Sequence, residues 1–172
     1  MYGYWLAQLN VALAKEEMNS PVMQGFVSRL EEIDSLADHA PGFVWRLQTE
    51  EGGTTLIRVF GSPLMLVNLS VWEDVEALRK FVFKTAHAEL LRNRAEWFRK
   101  MDTNYLALWW IPRGHTPSVE EAKEKLEYIR QHGPSQAAFN LARPFPSPSH
   151  VLKLDQPTDP GEEYWLDRKS VV

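Results

Sequence analysis

Residues Leu64 to His87 read LMLVNLSVWEDVEALRKFVFKTAH, a stretch that passes from strand into helix. In its first half Leu66, Asn68, Ser70 and Trp72 alternate with Val67, Leu69 and Val71. Successive side chains of a strand point to opposite faces, so Asn68 and Trp72 share a face two pleats apart. The second half is an apolar-rich run that closes on His87. The strand is expected to floor a pocket and the helix to wall it.

Upstream, Tyr4 to Ala12 alternates as a first strand, with Leu6, Gln8 and Asn10 on one face and Ala7, Leu9 and Val11 on the other. Ser20 directly before Pro21 suits an N-cap with proline at the first helical position. Val22, Phe26, Leu30, Ile33 and Ala37 then recur at helical spacing until Pro41-Gly42 stops the helix. Phe43 to Gln48 is expected as a second strand, Glu51-Gly52-Gly53 as a hairpin-like turn and Thr54 to Phe60 as a third strand.

Downstream, helical sequence runs from about Asp74 to Arg99 with a break near His87, and Asn104 to Ile111 alternates as another strand. Ser118-x-x-Glu121 is a capping box that opens a helix running to about Gln131, before Gly133-Pro134. Phe139 to Ala142 is a candidate short edge strand. Five prolines between Pro144 and Pro160 mark an extended or disordered tail. The expected division is a domain over 1–146 and a Pro-rich tail over 147–172, in which Tyr164-Trp165-Leu166 is a candidate docking segment.

Strand, helix, paired strands, helix, strand and an appended helix define an α+β fold with the ferredoxin-like βαββαβ arrangement. Its antiparallel sheet carries helices on one face and leaves the other uncovered. The open face is expected to carry Gln8, Asn10, Asn68, Ser70 and Trp72. That mixture is too apolar to stay wet, which predicts a homodimer or a curled half-barrel around a cavity. Trp45 and Trp109, on other strands, are candidates for the aromatic lining of that cavity.

Of the 172 residues 44% are hydrophobic and seven are tryptophan, so the chain is long and apolar enough for one core. A net charge of -4 without a basic face argues against nucleic acid as partner. The absence of cysteine excludes disulfides, thiolate metal sites and thiol nucleophiles. No leader-like or membrane-spanning run is apparent, which predicts a soluble, cytoplasmic protein. His39, His115, His132 and His150 show no metal-ligand spacing, so no metal site is expected.

The pieces LAQLNVA (Leu6 to Ala12), PGFVWRL (Pro41 to Leu47), LVNLSVWEDVEAL (Leu66 to Leu78), TAHAELLR (Thr85 to Arg92) and LALWWIPRGHTPSVEEA (Leu106 to Ala122) together resemble the bacterial domain-of-unknown-function family 3291. That family is placed with the dimeric α+β barrel proteins related to antibiotic-biosynthesis-type monooxygenases. The resemblance covers roughly residues 4 to 146, and Trp5 departs from it by standing where a polar or histidine residue is expected.

The resemblance implies chemistry at named positions. Cofactor-free monooxygenases of this superfamily use a strand asparagine, a tryptophan four residues later and an asparagine on the first strand. Asn68, Trp72 and Asn10 match that set. Amide donors would hold the oxyanion of an apolar or aromatic substrate that reduces dioxygen itself, with Trp72 stacking on its ring and His87 as base or gate. Gln8, Ser70, Trp45 and Trp109 would complete the substrate pocket, and no organic cofactor is required. The alternative implied by the same superfamily is a heme-binding or heme-degrading protein with His87 as axial ligand. A third reading is a non-catalytic ligand-binding module.

Overall fold

The structure, a computed structural model, describes residues 3–48 and 59–149, with the side chains of residues 85–87 outside that description. Strand β1 (Tyr4–Leu13) is central to a four-stranded antiparallel sheet that also contains β2 (Phe43–Arg46), β3 (Met65–Trp72) and β4 (Leu106–Pro112). The order across the sheet is β2-β3-β1-β4, so β1 pairs with both β3 and β4. This is the ferredoxin-like arrangement.

A 3-10 turn at Pro21–Met23 leads into helix α1 (Gln24–Asp38). Ser20 has the extended backbone of a cap, yet its hydroxyl makes no capping bond and is buried with no hydrogen-bond partner among the described residues. After α1 the chain turns at Gly42, whose φ of +81° favours glycine. Its carbonyl accepts from the Glu73 backbone at 2.7 Å, tying the start of β2 to the end of β3.

The helical stretch after β3 divides into α2 (Val75–Val82), α3 (Thr85–Arg92) and the single turn α4 (Arg94–Trp97). Asp74 caps α2 by accepting from Ala77 N at 2.8 Å. The expected break falls at Phe83-Lys84, where Lys84 is extended at ψ 148°. After β4, Ser118 caps α5 (Val119–His132) by accepting from Glu121 N at 3.1 Å, and Gly133 at φ +73° ends it.

Two expectations about strands change. Val59 and Phe60 are helical, against the strand expected over Thr54 to Phe60, and they pack with Leu47, Val67 and Val119. The rest of that strand and the Glu51-Gly52-Gly53 turn lie outside the described residues. Phe139 to Ala142 supplies only a bridge, in which Phe139 and Leu108 exchange backbone bonds of 2.9 and 2.8 Å.

The allocation of faces is also corrected. The face expected to be open, with Gln8, Asn10, Asn68, Ser70 and Trp72, is the one the helices cover. At one end Leu6, Trp72 and Leu108 pack with Ala37 of α1, Leu78 and Phe81 of α2, and Phe139. At the other end Leu66 packs with Phe26 and Leu30 of α1, Leu90 of α3 and Trp97 of α4. The opposite face, with Ala7, Leu9, Val71 and Trp109, is closed within the chain by Ala122, Leu126 and Ile129 of α5. Both faces of the sheet thus carry helices of the same chain. Among the described residues no helix is long and apolar enough to cross a membrane.

Candidate functional site

Two residue pairs cross the middle of the helix-covered face. Gln8 stands opposite Ser70, and one pleat further along Asn10 stands opposite Asn68. They form a polar stripe between the two apolar clusters on that face.

The Gln8–Ser70 row is closed and internally bonded. Ser70 Oγ donates to Gln8 Oε1 at 2.6 Å and accepts from Trp72 Nε1 at 2.9 Å. With Gln8 7% and Ser70 6% exposed, each of these bonds spares a buried polar group an unmade partner. The Asn10–Asn68 row is open by comparison, Asn10 being half-buried and Asn68 exposed. The amides of this row are the part of the stripe that a ligand can meet.

Trp72 does not serve as an open wall. It is 1% exposed, stacks on Phe81 with ring centroids 5.1 Å apart at 29°, and meets the edge of Phe43 at 5.5 Å and 80°. Its indole nitrogen is spent on Ser70. Trp72 therefore anchors α2 and β2 to the sheet, and the expected stacking on a substrate ring is not available in this arrangement.

The other expected lining residues divide between the two faces. Trp45 pairs in register with Val71, and both belong with Trp109 to the core under α5. Trp109 is 1% exposed and donates from Nε1 to Glu121 Oε1 at 3.0 Å. Neither tryptophan joins the Asn10–Asn68 row. His87 lies in α3, and its side chain is outside the described residues. The remaining histidine on this helix layer, His39, is engaged through Nδ1 with Ser35 O at 2.8 Å.

Charged groups border the stripe. Arg46 of β2 stands opposite Ser70 and reaches α1, with Nε 2.7 Å from Asp38 Oδ1 and Nη1 3.4 Å from Asp34 Oδ2. The hydrogen bond from Arg46 holds the Asp38 carboxyl below its ordinary pKa. Burial pushes Asp34 the other way, with Arg46 only partly opposing it. Arg29 of α1 and Glu89 of α3 approach to 3.8 Å and join the two helices at the surface. Among the described residues no group of three His, Asp or Glu side chains is placed to hold a metal ion.

Two surface grooves among the described residues lie away from the stripe. One, of about 500 Å³, runs between α2 and residues 144–146 over Trp110. The other, of about 350 Å³, follows β2 from Phe43 to Gln48 beside Asp38. Between His115, Glu121 and Trp109 lies a bonded cluster missed in the sequence. Glu121 Oε2 is 2.7 Å from His115 Nε2 while Oε1 holds the Trp109 indole. Its only sequence signal, Ser118-x-x-Glu121, also fits a capping box, and Glu121 spends its carboxylate on the sheet and the loop.

The fold and the stripe define an α+β domain of ferredoxin-like topology with a polar stripe on the helix-covered face of its sheet. Residues 5–154 match the family described as "Domain of unknown function (DUF3291)", and the chain belongs to that family. Similar solved structures include three with TM-scores of 0.41 to 0.42. A Shewanella oneidensis protein is 11% identical, the match covering 66% of this chain and 97% of that one. A Nitrosomonas europaea protein provisionally named an antibiotic biosynthesis monooxygenase is 10% identical, with 67% and 92% covered. A Nitrosomonas europaea protein of unknown function is 13% identical, with 67% and 94% covered. No curated protein matches.

Proposed function

We propose that the Asn10–Asn68 row binds a small, largely apolar hydroxyaromatic molecule and promotes its oxidation by dioxygen without a tightly bound organic cofactor. The observation that carries this reading is the exposed Asn68 amide standing opposite Asn10, between two apolar clusters on the helix-covered face. Amide N–H donors favour a phenolate or enolate oxygen over its protonated form, which makes the ring electron-rich enough to reduce oxygen. One oxygen atom enters the product and the other leaves as water, with the substrate as the sole reductant.

Apolar contact would come from the cluster edges, Leu30 and Leu66 on one side and Ile33 on the other. Trp72 acts through Ser70, as a positioning residue for the floor. His87 of α3 is the proposed base that removes the substrate proton.

Oxygen uptake with electron-rich hydroxyaromatics tests the reading. Turnover by the wild-type chain that falls about 10²- to 10³-fold in Asn68→Ala supports it, the usual loss for one oxyanion donor. Saturable binding with no uptake would replace oxygenation by simple ligand binding. A Soret band on hemin titration that disappears in His87→Ala would replace it by heme chemistry.

A further inference from the structure

Lys80 lies in the last turn of α2, Phe83 is the residue that ends it and Lys84 directly follows, and all three are exposed. Phe83 is 69% exposed, the most exposed large apolar side chain among the described residues. Neither lysine is in an ion pair among the described residues. The surrounding sequence is basic as well, with seven lysines and arginines against Glu89 and Glu96 between residues 79 and 100, in a chain of net charge -4. The acidic groups near α2 gather at its other end, at Glu73, Asp74 and Glu76.

The complement to this face stands in the same chain. Residues 155–167 read DQPTDPGEEYWLD, five acidic side chains with no basic one, and Glu162-Glu163 directly precedes Tyr164-Trp165-Leu166. The segment lies outside the described residues and beyond the family match, which ends at residue 154.

The chain leading to it passes along α2 from Arg79 toward the first turn of that helix. Leu141 O accepts from Arg79 Nη2 at 2.9 Å, and Phe145 O accepts from Trp110 Nε1 at 3.0 Å. Pro144, Phe145 and Pro146 form one side of a groove whose other side is Val75, Glu76 and Arg79. From Ser149 to Glu162 about 13 residues remain, enough to span up to roughly 45 Å when extended.

We propose that residues 155–167 dock in cis on the Lys80–Phe83–Lys84 face, with Tyr164 and Trp165 against Phe83 and Glu162 and Glu163 against the lysines. Like charges at the start of α2 turn the acidic segment away from that end and toward Lys80 and Lys84. The tether supplies an effective concentration on the order of millimolar, so even weak contacts become populated. The apolar part explains how a phenylalanine this exposed is covered. Docking of this kind requires nothing of the chemistry at Asn68.

The chain has no cysteine, so a nitroxide placed through Gly161→Cys is its single spin label. With the full-length, isotope-labelled protein at low salt, the amides of Lys80, Phe83 and Lys84 are expected to lose intensity relative to the reduced label. The loss should vanish in K80E/K84E, whose exposed side chains carry no packing, and return when E162K/E163K is added. It should also shrink near 1 M salt, where the screening length falls to about 3 Å. No loss at these amides at low salt overturns the proposal. Equal loss when a spin-labelled chain is mixed with a separate isotope-labelled chain overturns docking in cis and assigns the face to a second copy.

Discussion

Asn10 and Asn68 face each other across the β1–β3 ladder, one pleat from the Gln8–Ser70 pair, and only the asparagine row is open. The closed row carries hydrogen bonds of 2.6 and 2.9 Å, and the open row is the one proposed to meet a ligand. On the proposed reading binding and stability sit on neighbouring rungs of the same ladder, which makes them separable by mutation.

Ser70→Ala should therefore act on stability. It strands the Trp72 indole nitrogen and the Gln8 amide in a buried setting, at a cost of about 1–3 kcal/mol. For a chain of this size that lowers Tm by about 2–4 °C per kcal/mol. Urea denaturation checks it, and an unchanged midpoint would show that the network contributes nothing.

Gly42→Ala should be more damaging than an ordinary turn substitution. A Cβ at Gly42 would stand 2.5 Å from Ala77 Cβ, on a backbone at φ +81°. The backbone conformation alone costs about 1–2 kcal/mol with a Cβ present, and the overlap about 1–3 kcal/mol more. Adding Ala77→Gly relieves only the overlap, so denaturation of the double variant should recover part of the loss. Full recovery would contradict the backbone component.

The Arg46 ion pairs predict opposite acid behaviour for two aspartates one helical turn apart. Asp38 has a folded pKa below its unfolded value, so its contribution is complete above the ordinary carboxylate range and is lost as pH falls through the depressed value. Asp34 has a raised folded pKa, so its ionised form works against folding at neutral pH, and acid relieves that cost. Both side chains are well exposed, so the effects are small. Denaturation across pH should show Asp38→Asn less stable than wild type near neutrality and equal to it in acid. Asp34→Asn should be no less stable than wild type near neutrality. A constant gap for Asp38→Asn at every pH would contradict the assignment.

Glu121→Gln should keep the Trp109 indole bonded through the amide oxygen, whereas Glu121→Ala leaves that buried nitrogen unpartnered. A loss of about 1–3 kcal/mol is expected for the alanine variant and distinctly less for the glutamine one. Equal losses would show that the His115 contact, rather than Trp109, carries the stabilisation.

The strands and helices that position the site were legible because their signals are local. The period of two in Leu66 to Trp72 and Ser118 as a cap each read correctly from neighbours in sequence, although the Glu121 carboxylate does not close the expected capping box. The allocation of faces was not legible. A period of two says which residues share a face and nothing about which face the helices choose. Trp72 was misread as a wall for the same reason, since Phe43 and Phe81 reach it only through tertiary packing. Val59 and Phe60 look strand-like beside their β-branched neighbours, yet they are helical and pack with Leu47, Val67 and Val119, contacts that no local pattern shows.

The central claim is tested most directly by oxygen-electrode turnover of an electron-rich hydroxyaromatic substrate by the wild-type chain, Asn68→Ala and Ser70→Ala, with folding checked by circular dichroism. Turnover that falls about 10²- to 10³-fold in folded Asn68→Ala, while Ser70→Ala loses mainly stability, is the predicted result. Equal turnover in wild type and folded Asn68→Ala would contradict it.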